Sequence, residues 1–317
     1  MKKGGRDPMQ IINFGSINVD RTYRLERFPS AGETLQAKEF FCGCGGKGLN
    51  QSVAASRAGA SVIHAGPIGN GGEAMEEELQ KNGVDTSRLF HVDSEQGHAI
   101  ILVDDEGHNE ILIHRGSNGM IGKEEIRSIM KTIREPSLVV LQNELPCAHT
   151  IIDLAFDSGH IVVFNASPVD EEVLHSVDFS HVHWLLINEV EGKQLTGTSD
   201  PDSIIRLMRQ RFPQMNIVLT LGADGSVCQC GDEQYCCGSY DVPVADTTGA
   251  GDAYTGYFLA GLSRGENPGE IMRRASLAAG ISVMRPGASS AIPMRDEVEE
   301  SYRNNTYPLR DFQKKQF

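Results

Sequence analysis

No run in this 317-residue chain approaches the roughly 18 consecutive apolar residues that a membrane-crossing helix needs. Basic charge is also short: 29 Lys and Arg stand against 43 Asp and Glu, a formal net charge of −14. An acidic surface repels nucleic acid and anionic lipid, so neither is expected as a main partner. A phosphate-bearing ligand then needs local help from backbone N–H groups, a metal ion or a few placed cations. Internal repeats, low-complexity tracts and inter-domain linkers are lacking as well. The charged opening Met1-Lys2-Lys3-Gly4-Gly5-Arg6-Asp7-Pro8 has no apolar segment behind it long enough for export. It reads as a short leader or cloning remnant ahead of Met9. Seven cysteines, an odd number in a chain too large to need staples, point to free thiols and a cytoplasmic, reducing setting.

What the chain does have is alternation. Short β-rich runs at Ile11–Phe14, Val62–Ala65, Leu138–Leu141, Ile161–Phe164, Trp184–Ile187 and Ile217–Thr220 are separated by helical stretches. These are Leu49–Ala58, Glu73–Lys81, Lys123–Arg134, Thr150–Asp157 and Asp202–Arg211. Such a rhythm predicts an α/β fold with a mostly parallel sheet covered on both faces, whose ligands bind at the carboxyl ends of the strands. Residues 21–41 and 97–117 break it with extended, alternating patterns, and Ala99–Val103, Asp104–Gly107 and Glu110–His114 spell a hairpin. We read them as a small β-lid inserted in a core of residues 1–20, 42–96 and 118–317. A lid suits group transfer, because water in an open site competes as acceptor.

Four motifs carry chemistry. Asp246-Thr247-Thr248-Gly249-Ala250-Gly251-Asp252 is a glycine-rich loop that opens straight into a helix through Leu262, with Tyr254, Tyr257, Phe258, Gly261 and Leu262 on one face. Small residues let backbone N–H groups reach an anion at the positive end of the helix. A carboxylate there can take a proton from an attacking hydroxyl; an ordinary N-capped helix is the competing account. Gly43-Cys44-Gly45-Gly46-Lys47-Gly48-Leu49-Asn50-Gln51 contains G-x-G-x-x-G, yet no acidic residue ends the next strand, and Gly rather than Ser or Thr follows Lys47. It is therefore neither a dinucleotide fingerprint nor a Walker loop. What remains, a close backbone approach beside a cation and an amide, suits a polyhydroxylated ligand near a phosphate. Asn188 and Glu191, three apart after a strand, can hold a hydrated Mg²⁺ or form a capping box. Asn18 and Asp20 alternate on an extended segment and can accept sugar hydroxyls, or belong to a solvated turn.

In this order the four pieces resemble the ribokinase family of carbohydrate kinases, over essentially the whole of Ile11 to Pro293. Gly45-Gly46-Lys47-Gly48-x-Asn50-Gln51 is similar to the family's first signature and Asp246 to Asp252 to its second. Leu141-Gln142-Asn143-Glu144, Asn188 to Glu191 and Thr220-Leu221-Gly222-Ala223-Asp224-Gly225 also fit, and Gly15 to Asp20 resembles the sugar-binding opening of its ribose-specific members. The resemblance implies a ribokinase-like three-layer sandwich and ATP-dependent phosphorylation of a small sugar's primary hydroxyl, D-ribose first. It implies sugar contacts from Asn18, Asp20, Gly46, Lys47, Asn50 and Glu144, with Asp252 as base. The amides of Gly249, Ala250 and Gly251 become the anion hole. Asn188, Thr220, Gly222, Ala223, Gly225, Gly251 and Ser276 line the ATP site, and Glu191 acts through Mg²⁺ and its waters. A monovalent cation, K⁺ by preference, falls to Asp246, Thr248, Ser282, Arg285, Gly287 and Ala291. Ala291 stands where the family can offer a serine hydroxyl, and Ser276 replaces a larger polar residue near the adenine. A homodimer through the lids is implied too, compatible with apolar Ile101 and Ile111.

Other readings compete. A ketohexose, deoxysugar, nucleoside or vitamin precursor can be the acceptor, although a nucleoside base would find only Tyr23, Phe28, Phe40 and Phe41 in the lid. A non-catalytic sugar-binding protein should have lost Asp252 or the loop glycines, and all are present. Cys228-x-Cys230 with Cys236-Cys237 reads as one face of a hairpin rather than a zinc site. Cys42 and Cys44 flank the glycine loop and can make activity sensitive to oxidation. His181-x-His183 reads as strand-edge surface and Trp184 as core.

Overall fold

Where Val, Ile and Leu follow one another without polar interruption, the chain forms short strands buried on both faces, as parallel sheets require. The structure, a computed structural model, describes residues 7–312; residues 1–6 of the expected leader lie outside the described residues. In chain order the elements are β1 (Ile11–Phe14), β2 (Asn18–Arg24), β3 (Glu39–Gly45), α1 (Lys47–Arg57), β4 (Val62–Asn70), α2 (Glu73–Lys81), β5 (Asp85–Glu95), β6 (His98–Val103) and β7 (Asn109–His114). There follow α3 (Lys123–Met130), β8 (Leu138–Gln142), α4 (Ala148–Asp157), β9 (Ile161–Asn165), α5 (Glu171–Ser176), β10 (Trp184–Asn188), α6 (Glu189–Thr196) and α7 (Pro201–Arg211). The last are β11 (Asn216–Thr220), β12 (Ser226–Cys230), β13 (Glu233–Cys237), α8 (Ala250–Ser263), α9 (Pro268–Ser282) and α10 (Arg295–Asn304).

Nine strands form one sheet in the order β13-β12-β11-β10-β9-β8-β1-β4-β5. It is parallel from β5 to β11, with β12 and β13 antiparallel at the far edge. The pleat divides the core in two. Ile11, Leu138, Val140, Val163, Trp184 and Val218 pack against the helices α1, α2, α8, α9 and α10. Ile12, Phe14, Val139, Leu141, Phe164 and Ile217 pack against α3, α4, α5 and α7. Each fully buried Ile, Leu or Phe contributes about 1.5–3 kcal/mol. The result is the expected three-layer sandwich.

The second sheet has four strands in the order β3-β2-β6-β7, and it starts three residues after the carboxyl end of β1. Its strands take in Asn18–Asp20 and Cys42–Gly45, which the sequence pattern leaves with the core. Register places Asp20, Ala99 and Ile113 on one face, and Tyr23, Phe40, His98 and His114 on the other.

Four local expectations need correcting. Helix α3 stops at Met130, short of Arg134. Helix α8 is not one-faced: it lies between α1 and α9 and is buried from Asp252 through Gly261. His181 sits in a short helical turn before β10, half-buried, with its ring stacked on Phe156 at 4.2 Å and its Nδ1 2.8 Å from Asp153. In the cysteine hairpin Cys228, Cys230 and Cys237 share a face, whereas Cys236 pairs with Val227 and points the other way.

Candidate active site

The site grows where β1 ends. There the turn after Phe14 and the first turn of α1 touch backbone to backbone: a Cβ on Gly48 would lie 2.3 Å from the Gly15 Cα. Leu49 N–H donates to the Ser16 carbonyl at 2.9 Å, and Gly48 N–H to Ser16 Oγ at 3.3 Å. The Ser16 hydroxyl in turn donates to Glu144 Oε2, which also accepts from Lys47 N–H at 3.1 Å. Glu144 follows β8, so β1, β8 and α1 meet at one carboxylate. Burial raises the pKa of Glu144, opposed by Lys47 and the Ser16 hydrogen bond.

Asp252 reaches the same point from α8. Gly249 caps the helix at φ 74°, a left-handed conformation that glycine adopts without strain, which puts Asp252 at the third helical position. Its carboxylate is buried and accepts from Asn50 Nδ2 and Gln51 Nε2, both at 2.9 Å. Burial raises its pKa against the pull of Lys47 and the two amides. Burial also lowers that of Lys47, but the charges of Asp252, Glu144 and Glu191 outweigh it and leave it raised. The neighbouring carboxyl groups thus favour the charged form of Lys47, while burial makes Asp252 a stronger proton acceptor. Asn50 Oδ1 is buried without a protein partner among the described residues, an acceptor that a ligand hydroxyl can fill.

The lid brings Asn18 and Asp20. Here one lone pair of Asn18 is already taken. Asn118 Nδ2 donates to Asn18 Oδ1 at 2.7 Å, and its own Oδ1 accepts from Ile17 N–H at 3.0 Å. The Asn18 carbonyl is thus partly engaged, and its Nδ2 adds a donor that a ligand can use. Asp20 is the acceptor. Burial, then the charges of Glu144 and Asp252, push its pKa up to about 7.

A cavity of about 150 Å³ opens beside these groups, lined among others by Lys47, Asn188, Glu191, Thr220, Gly251 and Asp252. That is below the roughly 300–1,000 Å³ of ligand-sized sites, so it has room for part of a ligand rather than for a whole drug-sized molecule. Asn188 and Glu191 do form a capping box. Asn188 Oδ1 accepts from the Val190 and Glu191 N–H groups at 2.9 Å, and Glu191 Oε2 from Asn188 N–H at 2.9 Å. Asn188 Nδ2 also donates to Glu191 Oε1 at 3.1 Å, and both residues line the cavity. Farther out, Ser239 Oγ donates to the Ala223 carbonyl at 2.6 Å, and Ser276 Oγ to the Gly238 carbonyl at 2.9 Å. The turn Gly222–Asp224, Gly225 and Ser276 are thus linked through Gly238 and Ser239 beyond the carboxyl end of β11, with the Ser276 proton already committed.

Of the six candidate cation residues, hydrogen bonds join Asp246, Thr248 and Gly287 in one group, and Arg285 N–H donates to the Ser282 carbonyl at 3.2 Å in another. Asp246 accepts from Thr248 N–H at 2.9 Å, Thr248 Oγ1 at 2.6 Å and Gly287 N–H at 3.0 Å. Ser282 ends α9, and Val283 beside it accepts from the Ala245 and Asp246 N–H groups. Arg285 pairs with Glu297 through its side chain, and Ala291 lies buried in the turn Ser289–Ala291. Carbonyls at a helix C-terminus form a fitting set for a monovalent cation.

No cysteine among the described residues is joined in a disulfide. Among the described residues no group of three or more His, Cys, Asp or Glu could hold a metal ion. Cys42 is exposed, but burial pushes the Cys44 thiol up to about 11 and keeps it protonated at neutral pH. Sequence reasoning assigned no role to Ser16, Gln51, Gln142 or Asn118, nor to Asn165 and Ser167, which also line the cavity. Asn165 and Ser167 were findable, being polar residues at the carboxyl end of a predicted strand; Asn118 carries no local signal.

Comparison with known proteins agrees with this geometry. The family described as pfkB family carbohydrate kinase matches residues 9–295. A ribokinase of Bacillus subtilis is 30% identical over 296 residues, 92% of this chain and 98% of its own length. A deoxyribokinase of Salmonella typhi is 30% identical over 304 residues, covering 92% and 98%. The structure of a Cryptococcus neoformans ribokinase in complex with ADP superposes with a TM-score of 0.80 at 29% identity, covering 93% of this chain and 99% of that one. Because the match runs through nearly all of the described residues and takes in both glycine loops, the chain belongs to the pfkB family and is a ribokinase-like carbohydrate kinase.

Proposed function

We propose that the protein transfers the γ-phosphoryl group of ATP to the primary hydroxyl of a small sugar, D-ribose before others, giving ribose 5-phosphate and ADP. The observation that carries this is the convergence on one cavity wall of Lys47, Asp252 and the amide-held α8 mouth, with Asn50, Glu144 and Asp20 beside them. Asp252 accepts the hydroxyl proton while the oxygen bonds to the γ-phosphorus and the bond to the β-phosphate oxygen breaks. The N–H groups of Gly249, Ala250 and Gly251 meet the charge on the phosphoryl oxygens. A Cβ on Gly251 would meet nothing within 4 Å, so there is room for phosphate in front of it. Asn18 donates to one sugar oxygen, while Asp20 and Glu144 accept from hydroxyls. Thr220, Gly222, Ala223, Gly225 and Ser276 border the nucleotide, as their place at and beyond the carboxyl end of β11 allows.

Glu191 and Asn188 fit a hydrated Mg²⁺ carried by the phosphates, their carboxylate and amide being hard oxygen donors at the cavity wall. Such an ion neutralises phosphate charge. The carbonyl-rich set around Asp246, Thr248, Ser282, Arg285, Gly287 and Ala291 fits K⁺, which would add positive potential beside the anion hole.

The test is a panel of ribose, 2-deoxyribose, fructose and adenosine, read as ADP release with and without Mg²⁺ and K⁺. Ribose should turn over fastest; far faster turnover of fructose or adenosine would replace it, and 2-deoxyribose is the rival that the Salmonella relative's name supports. Run against pH, the same assay reads Asp20. A carboxyl whose pKa is near 7 becomes a weaker acceptor on protonation, so the sugar KM should rise as pH falls below about 7. A flat KM from pH 8 to 6 would remove Asp20 from the sugar contacts.

The lid supports a homodimer. Phe41, Ile111 and Ile113 share the Asp20 face and are each more than half exposed, more apolar surface than a monomer's lid needs. Light scattering should give twice the 34.6 kDa chain mass, and Ile111→Lys should halve it. A wild-type monomer at assay concentration would end this reading.

A further inference from the structure

A buried line of hydrogen bonds runs from Asp252 back into the sheet. Gln51 Oε1 accepts from Gln142 Nε2 at 2.8 Å, and the same nitrogen donates to Asn13 Oδ1 at 3.0 Å. Asn13 Nδ2 donates to Ser52 Oγ at 2.8 Å and to the Gly48 carbonyl at 2.9 Å. Ser52 Oγ lies 2.8 Å from His64 Nδ1, and His64 Nε2 lies 3.1 Å from the Gly15 carbonyl. All five side chains between Asp252 and Gly15 are buried.

The direction of every donor follows from the far end. A carbonyl only accepts, so His64 carries its proton on Nε2 and its Nδ1 is an acceptor. Ser52 must then donate to His64 and accept from Asn13. Asn13 is left with its carbonyl oxygen toward Gln142, which offers Nε2. That nitrogen reaches Gln51 as well, so Gln51 turns its carbonyl to Gln142 and its N–H to Asp252. Flipped, Gln51 would press a carbonyl oxygen against a carboxylate. Burial lowers the His64 pKa to about 4, so the imidazole stays neutral and the pattern holds through the neutral range. Gln142 Oε1 has no partner among the described residues, a cost that an apolar side chain would avoid. The bridging nitrogen is what the position gains for it. Neutral amides do not pass protons along, so the line orients and does not conduct.

We propose that Gln51 is a positioning residue for phosphoryl transfer, its amide locked by the Gln142–Asn13–Ser52–His64 line so that the Asp252 carboxylate is held ionised and in one orientation. This rests on reading Asp252 as the base. Asp252 is also faced by Asn50 and Lys47 from α1, by Glu144 after β8 and by Asp20 from the lid, and all of these remain in the variants below.

Gln51→Met keeps the length and removes the donor; Ser52→Ala cuts the line farther from Asp252. Two readouts are taken on the full chain: kcat and KM for the sugar against pH, and the ¹³C carboxyl titration of Asp252 in the unliganded protein. Losing an N–H donor raises a carboxyl pKa, so in Gln51→Met both the acidic limb of kcat and the ¹³C midpoint should move up by about half a unit to one unit. Its kcat should fall by about 10- to 100-fold with the sugar KM within about threefold, as misplacement of a reacting group predicts. Ser52→Ala should shift both in the same direction by less. If both variants keep the wild-type midpoint and kcat and lose only melting temperature, Gln51 is core filling and the proposal is overturned. If the wild type phosphorylates no sugar, the base reading fails, yet the ¹³C midpoint still decides whether Gln51 holds the carboxylate.

Discussion

Asp252→Asn should lower kcat by about 10²–10⁴ with sugar affinity little changed, the range that a positioned general base supplies. The substitution is nearly isosteric, although Asn50 and Gln51 donate to different carboxylate oxygens, so one of the two then meets an NH2 group. What it removes is a proton acceptor strengthened by burial. Lys47 and Glu144 stay in place, so phosphate charge is still met and the acceptor still bound. Stopped-flow or coupled ADP assays at saturating sugar separate this from a binding defect. An unchanged KM with kcat reduced by less than tenfold would mean that phosphoryl transfer here needs no carboxylate base at residue 252.

Gly48→Ala should be nearly as severe by a different route. Its added methyl would fall 2.3 Å from the Gly15 Cα and 2.4 Å from the Ser16 nitrogen, where only backbone stands. Nothing there can rotate aside, so the turn after β1 and the start of α1 must part. Overpacking of this kind costs about 1–3 kcal/mol, and more where backbone moves. The Leu49–Ser16 and Gly48–Ser16 bonds go with it, and they fix Lys47, Asn50 and Gln51 relative to Glu144. We expect a melting point lowered by a few degrees and kcat/KM down by about 100-fold or more. Calorimetry and steady-state kinetics on the folded variant test both. A variant with wild-type kcat/KM would show that the contact is dispensable.

Much of this was legible in the chain because the signals are local. Uninterrupted Val-Val-Leu and Leu-Leu-Ile runs can only be two-sided strands, and Thr-Thr-Gly-Ala-Gly-Asp puts its chemistry and its backbone freedom in the same few residues. What escaped depends on distance. Asn118 donates to the Asn18 carbonyl from 100 residues away, and Gln142 orients Gln51 from 91. No period or motif records such pairs, and an amide looks the same in sequence whichever way it points. The lid's true ends escaped for another reason: β2 begins at Asn18 and β3 ends in Gly43-Cys44-Gly45, residues with little strand propensity that are held by pairing alone. The all-round burial of α8 was hidden in the same way, since its second covered side exists only once α9 is packed on it.

The division of labour between the two sheets has a practical consequence. Asp252 and the α8 mouth are built into a helix with helices on either flank, where almost any substitution disturbs packing. Asn18 and Asp20 ride instead on a four-stranded flap whose neighbours Thr22, Phe41 and Ile111 are partly or largely open to solvent. If Asn18 and Asp20 hold the sugar as proposed, retargeting to a new alcohol should start with the flap and leave the α8 mouth untouched.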